Sequence, residues 1–305
     1  MNPKKVVLTL LAAFLFASSP YSLAQSGTFL NQTMVWDGIT RYYQVYLPLN
    51  LPAQPQLLLM LHGTSTNKAS NPPTQQNWGW LPLANQYKFI LVKPASTYNA
   101  QSGQWNWNAY YLDGAFPPPA PDDSGFLRQL ITNLTAQYGV DPKRVYVAGM
   151  SAGAMMAHRV GVELSDLVAA IVPASGQIVG QPTLPIVLPG PPLSPVSVQE
   201  WHGNNDPILQ PCNNGSTKYS GYTVVMATVD QSFNYWAAEN GCSQLQSTQP
   251  LCANGLPNPN IQQNDATGCA NNAEVEFKWE GNIGHYWEPS NDLARWQFLS
   301  AHPKP

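Results

Sequence analysis

Charge is what this chain has least of. Only 10% of its 305 residues are Asp, Glu, Lys or Arg, and 14 basic against 17 acidic side chains leave a formal net charge of −3. So few cations cannot assemble a basic surface that gathers nucleic acid or anionic lipid, so neither is expected as a partner. Long apolar runs are also scarce. The run at residues 6–17 follows Lys4 and Lys5 and precedes Ser22-Leu23-Ala24. A basic start, an apolar stretch short of the ~20 residues that cross a bilayer, and small residues two apart have the layout of an export signal. Residues 1–24 are therefore expected to be a signal peptide, the protein to be secreted (extracellular or periplasmic), and 25–305 to form one domain with a substantial core.

Cysteine is missing from the first two thirds of the chain. The four present, Cys212, Cys242, Cys252 and Cys269, are even in number in an exported chain, which predicts two disulfides. Three pairings are possible and the sequence does not choose among them. There is no C-x2-C pair and no histidine at ligand spacing to these cysteines, so a metal site is not expected.

What is present in quantity is aromatic: 10 Trp, 14 Tyr and 9 Phe. The chain opens with a predicted antiparallel hairpin, residues 34–36 and 41–46 around the turn pair Asp37-Gly38. Short, wholly apolar runs at 57–61, 89–92, 145–148 and 169–172 then read as strands buried on both faces. A helix begins at Asp122-Asp123, carries Phe126, Leu127, Leu130, Ile131 and Leu134 at helical spacing, and ends at Gly139. This alternation predicts an α/β fold, a doubly wound and mostly parallel sheet with its crevice beyond the carboxyl ends of the strands. Prolines 182, 185, 189, 191, 192 and 195 make a stiff loop, and the Asn/Gln-rich stretch at 243–272 reads as a disulfide-stapled insert. A half-buried strand at 274–279 and a helix at 293–301 close the chain.

Gly149-Met150-Ser151-Ala152-Gly153 fits the G-x-S-x-G pattern, in which glycines allow a sharp strand-to-helix turn that presents the serine hydroxyl. The pattern is weak alone, but here it follows a predicted strand and precedes a helical segment, as the chemistry requires. Serine becomes a useful nucleophile when a histidine takes its proton and a carboxylate orients that histidine. Among His62, His158, His202, His285 and His302, only the last three follow Ser151 by enough chain to come from separate strands. His302 lies near the C-terminus and reads as surface. His202 ends a strand four positions before Asp206 and reads as a structural partner of that loop. His285, flanked by glycine after the last strand, is the expected base, with Asp206 as its acid; Asp230, Asp265 and Asp292 are the fallback acids. Two backbone N–H groups should receive the oxyanion, that of Ala152 and that of Thr64, with Ser65 as the neighbouring candidate and His62 a packing residue beside them. Trp78, Trp80, Trp105, Trp107, Tyr110 and Tyr111 cluster in loops. Those that face the crevice would offer flat surfaces to a sugar, a cinnamoyl ring or a polyester chain, and the rest would pack beneath the loops.

Five blocks stand in order: Leu61-His62-Gly63, Asp122-Asp123-Ser124-Gly125-Phe126, Gly149-Met150-Ser151-Ala152-Gly153, His202-Gly203-Asn204-Asn205-Asp206 and Gly281-Asn282-Ile283-Gly284-His285-Tyr286-Trp287. In this the chain resembles the secreted α/β-hydrolase esterase group of polyhydroxybutyrate depolymerases, feruloyl esterases and acetylxylan esterases (carbohydrate esterase family 1-like). The resemblance implies a serine esterase acting on carboxylic esters of extracellular polymers, without metal or organic cofactor. It implies Ser151 as nucleophile, Asp206 as acid, His285 as base, and Thr64 and Ala152 at the oxyanion. Trp105, Trp107, Tyr110 and Trp287 are the aromatic candidates for the substrate wall. One departure is that Glu288 separates Trp287 from Pro289, where the group often has Trp-Pro. The substrate is left between a polyhydroxybutyrate-type polyester and a feruloyl or acetylxylan ester. A serine peptidase and a catalytically idle carbohydrate-binding protein are the readings from other classes. A monomer is expected. Asn31, Asn133 and Asn214 open glycosylation sequons.

Overall fold

The computed structural model describes residues 27–305 apart from 75–77, 110–119, 181–189, 214 and 220–221. The expected signal peptide, Tyr110, Tyr111, the start of the proline-rich loop and the Asn214 sequon lie outside the described residues.

The hairpin is longer than its sequence signal. Strands β1 (Gly27–Trp36) and β2 (Ile39–Pro48) pair antiparallel over ten residues each. Asp37 and Gly38 between them take φ of 49° and 71°, the left-handed geometry that lets a two-residue turn follow the twist of the strands. The apolar runs become parallel strands β3 (Leu57–Leu61), β4 (Ile90–Pro94), β5 (Val145–Met150) and β6 (Ala170–Ala174), and the strand that ends by His202 becomes β7 (Ser197–Gly203). With β8 (Gln244–Leu245), β9 (Gln263–Thr267) and β10 (Val275–Glu280), they form one ten-stranded sheet in the order β1-β2-β4-β3-β5-β6-β7-β10-β9-β8.

Each central strand serves two cores because its side chains alternate between faces. Leu57, Leu59 and Leu61 pack under helices α2 (Asp123–Tyr138), α3 (Ala152–Glu163) and α4 (Val229–Glu239). Leu58 and Met60 pack under α1 (Trp80–Tyr87) and α5 (Asp292–Ala301). Asp122 begins α2 by accepting the Gly125 N–H at 2.8 Å, and Gly139 ends it at φ 64°. The architecture is the α/β-hydrolase fold.

The stretch at 243–272 extends the sheet, which its composition did not announce. β8 and β9 add to the outer edge of β10 as antiparallel strands. The staples are Cys212–Cys252 and Cys242–Cys269. Among the described residues no helix is long and apolar enough to cross a membrane.

Candidate active site

Ser151 stands between β5 and α3 with φ 57° and ψ −121°, a conformation costly for a residue with a side chain and sustained only where its surroundings fix it. The surroundings here are backbone. A Cβ on Gly149 would enter the Gly153 backbone, one on Gly153 would enter the carbonyl of Leu61, and one on Gly176 would meet the Ser151 carbonyl. Ser151 N–H donates to Ala174 O at 3.0 Å, tying the elbow to the end of β6. The glycines allow three backbone segments to converge and leave the hydroxyl no alternative direction.

Asp206 sits in the turn after β7 and His285 in the loop after β10. These strands are adjacent and parallel, so their carboxyl ends deliver both side chains to the side of the sheet where Ser151 lies. His285 Nε2 lies 2.8 Å from Ser151 Oγ, and His285 Nδ1 lies 2.8 Å from Asp206 Oδ2. Asp206 Oδ1 also accepts the N–H groups of Ile208 and Leu209 at 2.8 and 2.9 Å, and His202 Nε2 stands 3.2 Å from Oδ2. Burial alone would raise this carboxyl, but hydrogen bonds and charge from His202 and His285 carry it far below the ordinary carboxylate range. It is therefore an anion at any working pH, and its Oδ2 fixes a proton on His285 Nδ1, leaving Nε2 to accept from the serine.

The His285 loop is held by charges and indoles. Arg295 of α5, fully buried, donates to Glu288 O at 2.7 Å, Asp292 Oδ1 at 3.0 Å and Glu280 Oε1 at 2.6 Å. Its guanidinium lies 4.1 Å from the Trp287 ring centre, and Trp287 Nε1 donates to Asp292 Oδ1 at 2.8 Å. Burial pushes the Asp292 carboxyl up to about 7 against the pull of Arg295. The sequence offered little sign of Arg295; an Asp-x-x-Arg spacing on a terminal helix is common.

Opposite the elbow runs the loop after β3. A Cβ on Gly63 would stand 3.2 Å from the Ser151 Cβ, so this loop lies against the serine. Ser65 N–H is committed to Trp105 O at 3.1 Å, which removes it as an oxyanion donor and leaves Thr64 as the candidate in this loop. The Thr64 hydroxyl donates to Asn106 Oδ1 at 3.2 Å. Ala152 opens α3, where N–H groups have no partner within the helix. His62, beside Gly63, is buried. Its Nε2 accepts the Ser96 N–H at 3.0 Å, so Nδ1 carries the proton and donates to Gly63 O at 2.5 Å. Desolvation lowers its pKa to about 4, partly opposed by the Gly63 hydrogen bond, and it is a neutral pin for the loop.

Three expected substrate-wall residues are buried instead. Trp105, Trp107 and Trp287 are 3%, 0% and 1% exposed, and each indole N–H is used internally, on Lys68 O, His62 O and Asp292 Oδ1. They brace the loops from below and present no face to a ligand. Among the described residues, the large apolar side chains exposed next to Asp206 and His285 in the chain are Ile208 and Tyr286.

The fallback acids are occupied elsewhere. Asp230 accepts the N–H groups of Leu251 and Cys252, Asp265 accepts from Gln263, and Asp292 belongs to the Arg295 network. His158 is buried with Trp236 Nε1 on its Nδ1 at 3.0 Å, lowered to about 3 by desolvation. His302 pairs with Glu274 at 3.2 Å. No three His, Cys, Asp or Glu side chains among the described residues gather as a metal site would require.

Residues 41–188 match the family model described as esterase PHB depolymerase. The chain is 27% identical over 247 residues to a bifunctional acetylxylan esterase/xylanase of Neocallimastix patriciarum, covering 80% of this chain and 33% of that one. It is 25% identical over 242 residues to poly(3-hydroxyalkanoate) depolymerase C of Paucimonas lemoignei, covering 71% and 55%. It thus spans a third to about half the length of these relatives. Among solved structures, the acetyl xylan esterase from Aspergillus awamori superposes with a TM-score of 0.55 at 18% identity, over 90% of this chain and 99% of that one. The feruloyl esterase module from Clostridium thermocellum superposes with a TM-score of 0.54 at 14% identity, over 96% and 95%. The chain is thus similar to acetylxylan esterases and to a poly(3-hydroxyalkanoate) depolymerase, and it shares the fold of solved acetylxylan and feruloyl esterases.

Proposed function

We propose that this chain is a secreted serine esterase, a single catalytic domain after an export signal, that hydrolyses carboxylic esters of polymeric or oligomeric substrates. The observation that carries the proposal is the continuous path from Ser151 Oγ through His285 to Asp206, two contacts of 2.8 Å each. His285 Nε2 takes the serine proton as Oγ attacks the ester carbonyl. The backbone N–H groups of Ala152 and Thr64 receive the oxyanion. The imidazolium, held by the Asp206 anion, protonates the leaving alcohol, and the acyl-serine remains. Water then repeats the sequence and releases the acid. The exposed Tyr286 and Ile208 supply the apolar margin on which an acyl or aryl group rests.

An acetylxylan or feruloyl ester and a 3-hydroxyalkanoate polyester are both within reach of this chemistry, and relatives of both kinds support it. An intact triad counts against an idle binding protein. The test is hydrolysis of p-nitrophenyl acetate, methyl ferulate and 3-hydroxybutyrate oligomers by the exported chain beside Ser151→Ala. Turnover reduced on the order of a million-fold in the variant is expected; equal rates in the two proteins would end the esterase reading.

A further inference from the structure

A cleft of about 340 Å³ opens beside the N-terminal hairpin, lined by Asn31, Gln32 and Thr33 of β1, Tyr42 and Tyr43 of β2, and the loop residues Asn71, Pro72 and Thr74. It is no part of the triad, and its chemistry differs from the apolar margin around His285. None of these lining side chains is charged; they supply carboxamides, hydroxyls and two aromatic rings. Asn31, Thr33 and Tyr42 share one face of the hairpin, because Thr33 stands opposite Tyr42 and Asn31 opposite Gln44 in the register. Gln44 Nε2 donates to Asn31 Oδ1 at 2.7 Å, which fixes the orientation of that carboxamide. The Tyr42 ring meets Trp105 edge-on at 6.3 Å, and Trp105 leans on Tyr98 at 5.4 Å. The buried indole thus makes Tyr42 a stiff platform rather than a mobile side chain.

The sheet register locates this cleft relative to the serine. Gln32 pairs with Tyr43, Tyr43 with Pro94, and Leu61 with Gly149; the parallel pairing of β4 with β3 sets Pro94 level with Leu61. One row of residues therefore crosses four strand spacings, about 19 Å, from the cleft to the residue two before Ser151. Both sites lie at the same edge of the sheet, with the loop after β3 between them.

We propose that this cleft is an accessory subsite for a neutral polysaccharide, a chain of linked pyranose rings whose ester substituent reaches Ser151 while a distant ring rests on Tyr42. Flat aromatic surface together with fixed amide and hydroxyl groups matches a polyol, and the lack of charge disfavours an acidic or basic ligand. An aliphatic polyester offers carbonyl acceptors but no donors along its chain, so the amide and hydroxyl oxygens of such a lining would go unmet. The inference rests on the esterase reading and deepens it, since it selects a plant-wall ester over a polyester.

The test uses the exported chain carrying Ser151→Ala, titrated calorimetrically with xylohexaose and, separately, with a 3-hydroxybutyrate oligomer. Xylohexaose binding is expected, weakened at least tenfold by adding Thr33→Arg, which places a bulky charge in the cleft from an exposed strand position, and similarly by Tyr42→Ala. In the active enzyme, Thr33→Arg is expected to raise KM on acetylated xylan with little change in kcat. Xylohexaose affinity indifferent to Thr33→Arg, no xylohexaose binding, or Thr33-sensitive binding of the polyester oligomer instead would each overturn the proposal. Hydrolysis of p-nitrophenyl acetate, too short to reach the cleft, reports on the triad alone. If it were absent while Thr33-sensitive sugar binding persisted, the esterase reading would fall and the subsite would stand.

Discussion

The two halves of the candidate active site are held in place by different physics. Ser151 is fixed by the absence of side chains: Gly149, Gly153 and Gly176 let backbones approach so closely that no Cβ fits between them. His285 is fixed by an excess of side chains: Arg295, Glu280, Asp292 and Trp287 fill the space under its loop with hydrogen-bonded charge. Steric exclusion tolerates almost no substitution but is indifferent to pH and salt. A buried polar network tolerates conservative change but is left with unmet donors or acceptors whenever one partner is removed.

The largest expected effect falls where the two meet. Asp206→Asn would lower kcat by about ten thousand-fold with little change in fold, because an amide in place of the anion no longer fixes the His285 tautomer; a pre-steady-state assay on p-nitrophenyl acetate measures it. Next is Arg295→Met, which strands Glu280 and Asp292 in the interior and is expected to cost about 4 kcal/mol in urea unfolding. Gly153→Ala should cost about 3 kcal/mol and lower activity in the same protein, since the methyl group displaces either the elbow or the β3 end. If Arg295→Met left the loop and stability intact, the contrast between the two halves would fail.

The response to pH separates the halves most cleanly. His62, behind the serine, has its pKa depressed to about 4 by burial. Between that value and the ~6.5 of an unfolded histidine, only the unfolded chain binds the proton, so stability falls as pH drops through this window by about 1.4 kcal/mol per unit. Asp292, under the His285 loop, is raised to about 7 by burial. From pH ~4 to 7 the folded chain keeps a proton that the unfolded chain releases, so this group contributes stability at low pH that is lost as pH rises. His62→Phe should flatten the acid-side loss and Asp292→Asn the opposing slope, each read from urea midpoints across pH 4 to 7. Slopes unchanged in both variants would show that neither group sets the pH response.

The parallel strands were legible because burial on both faces forces unbroken apolar runs, as at Leu57–Leu61 and Val145–Met150. The outer strands were not. Gln263–Thr267 reads GlnAsnAspAlaThr and holds its place through pairing with β10 and the nearby Cys242–Cys269 bridge rather than through hydrophobicity. Ser151, Asp206 and His285 could be singled out because local sequence marks each: glycines around the serine, a strand end before the aspartate, a glycine beside the histidine. The tryptophans could not be sorted. An indole is equally suited to a crevice wall and to a loop foundation, and the difference lies in where its N–H finds an acceptor, a long-range contact for Trp107 and His62 separated by 45 positions. The Asn31–Thr33 cleft was equally hidden, since sequence suggested only a sequon and a hairpin there.

The two disulfides overlap along the chain: one spans 212 to 252, the other 242 to 269. Residues 243–251 therefore lie inside both loops, and this stretch is mostly exposed. A protease that cuts there separates nothing: both bridges still join the two fragments. The molecule would run as one band on a non-reducing gel and as two after reduction, and survival after a nick is thus written into the order of its cysteines.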